Sequence, residues 1–360
     1  MSPGDTPGPR SRWRERLTAH TRSLVLLAVL IVLLFAGTLI HPAYVVIRPG
    51  PAINTLGELD GTRIVEVKDA PTFPTEGDLA FTTVAVYGGP GRELTLWDYL
   101  LARARPGSDI RPRDEYYPPD ATREQIDQRN HAQMEFSQQE AVAVALRASG
   151  RSVPQTVTVG QVSTDGPSHG LLREGDVVTS ANGTAVTSAT QLRETISATP
   201  AGEHVALMVR RDGDSVPVQV SPTTADGRRL IGVYLRISYD FPVQISIHAA
   251  DVGGPSAGLM FALGVYDVLT PGPLTGGQDI AGTGTIDDDG AVGPIGGVRH
   301  KMAGARDSGA TWFLSPQANC AEATPGVPGG LRLVPVETFD GAKRAVEEIA
   351  AGRGESLPRC

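Results

Sequence analysis

From Ser23 to Ile40 the chain runs for 18 residues without a charged side chain. At about 1.5 Å per residue, a helix over that run reaches roughly 27 Å, close to the thickness of a bilayer's hydrocarbon core. A secretory signal peptide would instead pair a shorter apolar region of about 7 to 15 residues with a small-x-small cleavage site, and Ile40-His41-Pro42 offers none. Arg10, Arg12, Arg14, Arg16 and Arg22 precede the run, with only Asp5 and Glu15 as acids. Basic residues stay on the cytoplasmic side of a membrane. The expectation is a basic cytoplasmic tail over 1–22, a single transmembrane helix over 23–40 in contact with the lipid bilayer, and everything beyond residue 41 outside the cytoplasm.

At 360 residues with 40% hydrophobic content there is material for two or three domains with real cores, and 42 Gly and 28 Pro promise many turns. β-branched content and Pro/Gly punctuation mark strands over Tyr44–Ile53 and Gly77–Tyr87. A short helix is expected over Leu94–Arg103, a proline- and charge-rich loop over Arg105–Ala121, and a longer helix over Arg123–Ala148. In that helix Met134, Phe136, Ala141, Val144 and Ala145 can pack, while Gln138-Gln139-Glu140 reads as a solvated face. The net charge of −8 argues against a nucleic-acid partner, because no basic excess exists to neutralise phosphates. Neither Cys-x-x-Cys nor His-Glu-x-x-His spacing occurs, so no metal or other cofactor is expected.

In Asp251-Val-Gly-Gly-Pro-Ser-Ala-Gly-Leu-Met-Phe-Ala-Leu263, Gly253, Gly254 and Pro255 deliver Ser256 to the start of an apolar run that ends at Thr270-Pro271-Gly272. Glycine permits unusual backbone angles and proline is tolerated in a first helical turn, which predicts Ser256 at a helix N-terminus. Unpaired N–H groups and the positive end of the helix dipole there favour the negative charge of an attacking serine or a tetrahedral oxyanion. A serine N-cap is the plain alternative. The second half of the pattern favours the nucleophile. Gly293-Pro-Ile-Gly-Gly297 reads as a turn, followed by a helix with Lys301 near its start. An amine at that end of a helix is electrostatically misplaced; desolvated as well, it loses its proton readily and can serve as a base.

Pro255-Ser256-Ala257-Gly258, Pro294-Ile295-Gly296-Gly297 and Lys301, 45 residues after Ser256, together resemble the motifs of the Lon-type serine peptidase family. The resemblance implies a Ser256–Lys301 dyad, and it implies that Thr283 in Gly282-Thr-Gly-Thr-Ile286 lies beside it. The family carries an acidic residue three positions before the serine, where this chain has Gly253. His248 and His300 offer a Ser–His rival, but His300 adjoins Lys301, so the two side chains point about 100° apart on a helix and cannot both face the serine.

Residues 153–222 change character. Strands over Val157–Val162, His204–Arg210 and Ser215–Val220, an Asn182-Gly183 hairpin turn and a helix over Ala189–Ser197 make a β-rich unit. Gly170-Leu171, Gly175-Asp176-Val177-Val178 and Asn182-Gly183 resemble a bacterial PDZ domain, which implies binding of extended peptide tails by strand addition. Beyond a polar linker over Ser221–Arg228, Leu230–Leu235 and Val243–His248 read as strands leading to the serine. Asp287-Asp288-Asp289-Gly290 reads as a hairpin turn rather than a calcium loop, whose other ligands are missing.

The fold expected is α+β: a transmembrane helix, then a Lon-type proteolytic α/β domain from 43–150 and 230–350, interrupted by a PDZ-like unit at 153–222 and closed by a tail over 351–360. Cys320 and Cys360, outside the membrane on this topology, are expected to form a disulfide. No Gly-x-x-x-x-Gly-Lys-Ser/Thr occurs, so no ATP-driven unfolding is expected and substrates would be unfolded or flexible proteins. The layout resembles membrane-anchored, PDZ-containing Lon-like proteases, which implies a bacterial cell membrane and, by analogy, a six-membered homo-oligomer. The alternative is a catalytically silent, membrane-tethered peptide-binding scaffold.

Overall fold

A computed structural model describes residues 9–225, 227–249 and 252–360, with side chains from residue 24 onward. Asp251 and residues 1–8 of the basic tail expected over 1–22 therefore lie outside the described residues, as do the side chains of the rest of that tail. The first part of the chain forms α1 (Pro9–Leu39), β1 (Tyr44–Asn54), β2 (Val65–Lys68), β3 (Asp78–Tyr87), α2 (Leu96–Ala104), β4 (Asp109–Pro112) and α3 (Arg123–Ala148). A β-rich stretch follows: β5 (Gln155–Val162), β6 (Val177–Ala181), α4 (Ala189–Ala198), β7 (Val205–Arg211), β8 (Asp214–Val220) and β9 (Val233–Tyr239). The remainder supplies β10 (Gln244–Ile247), α5 (Gly258–Leu269), β11 (Asp279–Gly282), β12 (Thr285–Ile286), β13 (Val292–Gly293), α6 (Val298–Asp307), β14 (Trp312–Pro316), β15 (Arg332–Val336) and α7 (Phe339–Ala350).

The chain divides into two compact units, one of residues up to Pro49 with Val84–Ile126, the other of Gly50–Thr83 with Asp127–Cys360. In the first, the start of β1 pairs antiparallel with β4, from Tyr44↔Pro112 to Ile47↔Asp109. Val46, Leu94 and Ala102 form its small core, and Ile110 packs on it. This corrects the loop expected over Arg105–Ala121: the apolar Ile110 and the open edge of β1 draw that segment into a strand, followed by one helical turn at Arg113–Tyr116. Among the described residues no helix is long and apolar enough to cross a membrane. The apolar part of α1 with described side chains runs from Leu24 to Leu39, about 24 Å of helix. The span expected over 23–40 is not met on these residues alone.

The second unit is built on a parallel arrangement in which β11 lies between β3 and β14, with β15 outside β14. α5 is apolar on every side and correspondingly sunk: Leu259, Met260, Phe261, Leu263 and Val265 are all fully buried. Around it pack the second half of α3, with Ala141 to Leu146, and Ala342, Val346 and Ile349 of α7. The α3 face is not as the sequence suggests at two positions. Phe136 is exposed, and Glu140 is buried rather than solvated.

A second sheet has the order β8-β7-β6-β5-β9. Its own core contains Val157, Val159, Leu192, Ile196, Val205, Leu207, Val209 and Val220. Asn182 and Gly183 both take positive φ, at 49° and 80°, as a tight hairpin turn requires. One expectation is corrected here. The strand expected over Leu230–Leu235 lies at Val233–Tyr239, and it does not run straight into the serine domain: it pairs antiparallel with β5, from Val233↔Val162 to Tyr239↔Gln155. Ile237 joins the small sheet's core, which the alternating apolar residues of β9 can reach only in this register.

Candidate active site

The turn that carries Ser256 is held from three directions. Gly254 sits at φ 87°, a left-handed conformation that glycine alone takes without strain. Its N–H donates to the Asn130 carbonyl at 3.0 Å, and a side chain on Gly253 would press into the Asn130 Cβ. Pro255 offers its carbonyl to the buried Ser137 hydroxyl at 2.9 Å. The Ser256 carbonyl accepts twice, from the Gly284 N–H at 2.9 Å and the Thr283 hydroxyl at 3.0 Å. Ser256 does not cap α5, however: Ala257 is the cap residue and Gly258 the first helical one. The expected N-terminal position is thus displaced outward, because Gly254 and the carbonyl bonds at Pro255 and Ser256 hold the preceding residues in a turn.

Lys301 comes from α6, whose cap residue Gly297 has φ 71°. The Lys301 side chain is 2% exposed. Its Nζ lies 2.7 Å from Ser256 Oγ and 2.9 Å from Thr283 Oγ1. Burial pushes the amine down from 10.5 to about 7, with no charged neighbour contributing. Near neutral pH a large share of the amine is therefore unprotonated and can accept the Ser256 proton. Thr283, fully buried at the end of β11, joins both groups. An apolar cleft of about 370 Å³, lined by Phe136, Pro255, Ile286 and Val292, opens beside the serine turn.

Ser256, Lys301, Thr283, Gly253 and Gly254 are thus brought together. The histidines are not equivalent to them: His248 is half-exposed and pairs with Glu66 at 3.5 Å, and it is Lys301 that meets Ser256 Oγ. Cys320 and Cys360 are joined by a disulfide with Cα atoms 5.0 Å apart. The Asp287–Gly290 segment is a turn between β12 and β13, with the Asp287 carboxylate accepting from the Asp289 and Ala291 N–H groups. Among the described residues no group of three His, Cys, Asp or Glu side chains could hold a metal ion. Two residues of the site escape the sequence reading. Ser137 was legible, since a lone hydroxyl lies between Met134 and Ala141 on the apolar stripe of α3. Asn130 was not, because it contributes through its backbone.

Residues 238–345 match the family model of the Lon protease (S16) C-terminal proteolytic domain, and residues 132–221 match that of the PDZ domain. Lon protease 2 of Herpetosiphon aurantiacus is 40% identical over 106 residues, which is 27% of this chain and 13% of that protein. The Lon protease of Campylobacter concisus is 30% identical over 132 residues, 35% of this chain and 16% of that one. The chain thus spans under a fifth of the length of these curated relatives. The PDZ domain of an SdrC-like protein from Listeria monocytogenes aligns at 26% identity, covering 22% of this chain and 85% of that chain, with a TM-score of 0.21. The two family matches thus support a PDZ domain and a Lon-type proteolytic domain of a serine peptidase over those stretches of the chain.

Proposed function

We propose that this chain is a membrane-anchored serine endopeptidase that acts outside the cytoplasm, without ATP, on unfolded or flexible proteins. The observation that carries the reading is the buried Lys301 amine 2.7 Å from Ser256 Oγ, lowered by burial to about 7. Neutral Lys301 takes the hydroxyl proton as Ser256 attacks a peptide carbonyl. Backbone N–H groups at the start of α5 hold the oxyanion, Lys301 returns the proton to the leaving amine, and water then hydrolyses the acyl-enzyme. Thr283 positions the lysine. The apolar cleft beside Pro255 gives a substrate side chain room next to the nucleophile.

The PDZ domain, completed by β9, would read extended substrate tails by strand addition. The anchor rests on the uncharged run over 23–40, whose described side chains stand exposed, Leu26 at 69% and Phe35 at 65%. A six-copy ring, implied by the resemblance alone, is read from the mass of the detergent-solubilised protein by light scattering.

Cleavage of unfolded casein by the purified full chain tests the catalytic part. Ser256→Ala and Lys301→Met should each lower turnover by roughly 10³-fold or more, and ATP with magnesium should change nothing. Equal turnover by all three proteins would rule out the dyad, and no turnover by the wild type would leave a tethered peptide-binder.

A further inference from the structure

We infer that the outer face of α2 rests on a lipid surface, so that the chain meets the bilayer through two helices rather than one. The inference builds on the anchoring part of the proposed function, not on its catalytic part.

α2 is a nine-residue helix with a firm start: Thr95 and Asp98 form a reciprocal capping box. It carries Ala102 inward, into the small core with Val46 and Leu94. Its other face is unusual. Trp97, Leu100 and Leu101 are 38%, 44% and 48% exposed, and Ala104 is exposed beside them. These positions fall at i, i+3, i+4 and i+7, the spacing of a single helical stripe. A surface helix ordinarily buries its one apolar stripe, whereas this helix presents a second to the outside, with Asp98 and Arg103 flanking it.

What covers that stripe follows from its neighbour. The Trp97 indole N–H donates to the Leu34 carbonyl of α1 at 2.9 Å, and the Leu96 N–H donates to the Ile40 carbonyl at 2.9 Å. The indole lies so close over Gly37 that any side chain there would run into it. The exposed face of α2 is therefore continuous with the large apolar side chains of α1, which are 48 to 69% exposed between Leu24 and Phe35. Whatever medium surrounds α1 reaches Trp97 and continues onto Leu100 and Leu101. Tryptophan belongs at the membrane–water boundary, where its ring is apolar and its N–H is satisfied. Contact at Leu34 and Gly37 sets that boundary near the last turn of α1. An apolar helix face with charges on its flanks is the form taken by segments lying in the interface plane.

The test uses the full chain in phosphatidylcholine vesicles, with an environment-sensitive fluorophore on Leu101→Cys. The two native cysteines are disulfide-bonded, so labelling without reductant is confined to the introduced thiol. Flotation with the vesicles after an alkaline wash reads the α1 anchor. Quenching by lipids with a spin label near the headgroup, compared with lipids labelled deep in the chain and with aqueous iodide, reads the α2 face. The expected result is flotation, roughly a halving of emission by the shallow label, and weaker quenching by the deep label and by iodide. Flotation with emission quenched by iodide alone would overturn the inference and leave the anchor standing. Emission shielded from every quencher would place a protein surface on α2 and overturn it equally. Failure to float would remove anchor and inference together. Casein cleavage by the same preparation scores the catalytic reading separately, and Leu100→Cys repeats the measurement one position away.

Discussion

Thr283 has a single hydroxyl proton and gives it to the Ser256 carbonyl at 3.0 Å, so only its lone pairs face the Lys301 amine 2.9 Å away. The amine must therefore direct one N–H to Thr283, which leaves its lone pair free to meet the Ser256 hydroxyl. Replacing Thr283 with valine should lower kcat by roughly 10- to 100-fold, the worth of a hydrogen bond of about 1.5 to 3 kcal/mol to a charged or reacting group. KM should change little, and Thr283→Ser should restore most of the rate. A loss confined to KM, or no rescue by serine, would make Thr283 only a packing residue. The pH dependence follows from Lys301. Its pKa is lowered by burial to about 7, so the active neutral form grows as pH rises, and kcat/KM should climb through pH 7 and level off above pH 8. Stability has the same sign: below the unfolded value of 10.5 the unfolded chain binds the proton more readily, so the buried amine costs stability progressively as pH falls towards 7. Lys301→Met should therefore be more resistant to urea than the wild type at pH 7, with the gap narrowing by pH 10. Ser256 and Lys301 were legible because the chain marks both with glycine and proline at turns that lead into helices.

α3 begins and ends where its sequence predicts, but its second half was misread at the position where charge and burial conflict. Glu140 shares the buried side of the helix with Ala141 and Val144, and the turn between β12 and β13 brings Asp287 and Asp288 close to it. Burial first, then those two carboxylates, raise its pKa to about 8, with Arg193 opposing. Across this polar pocket Asp288 accepts from Gln155 at 3.0 Å and Thr190 at 3.3 Å, while Arg147 donates to the Asp288 carbonyl at 2.6 Å. Local pattern could not show this, because the groups that act on Glu140 are far from it in the chain: Asp287 and Asp288 of the β12–β13 turn, and Arg193 on α4. A run of three polar residues reads as solvated unless its partners are known. The energetic sign is fixed by the direction of the shift. Glu140 is protonated in the fold at pH values where the unfolded carboxyl is ionised, so its contribution is complete below pH 4.5 and is lost as pH rises through 8. Urea midpoints of the wild type should fall between pH 5 and pH 7, below the range in which Lys301 raises stability, whereas Glu140→Gln should flatten that fall. Parallel curves for the two proteins would mean that another group is responsible.

At the scale of the molecule, long-range closure was the least legible feature. The pairing of β9 with β5 joins residues separated by an entire β-rich domain, and nothing in the alternation of Val233–Tyr239 names its partner. The closure made by the disulfide was legible, since the sequence has two cysteines and the topology expected from it put both where thiols oxidise. Cys360 is the last residue and Cys320 lies on the short helix after β14, so their bond encloses β15, α7 and the tail. The tail has other attachments: Arg332 pairs with Glu355 and lies over the Trp312 ring at 5.0 Å, and Gly354 is buried close against that ring. The bond's chief effect should therefore be on the unfolded chain, whose 40-residue loop it closes. On the loop-entropy account that is worth about 3 to 4 kcal/mol. Ser256, Thr283 and Lys301, the proposed catalytic groups, all lie outside the enclosed loop, so its opening should leave their 2.7 and 2.9 Å contacts in place. Cys360→Ser should accordingly lose about 3 to 4 kcal/mol in urea unfolding while keeping kcat within about twofold, and reductant should bring the wild type to the same curve without further effect on the variant. A stability loss near zero would show that the Arg332, Glu355 and Gly354 contacts hold the tail even in the unfolded ensemble's most compact members. A collapse of kcat would show that the tail positions α6, and that closing the loop is part of how the dyad is held.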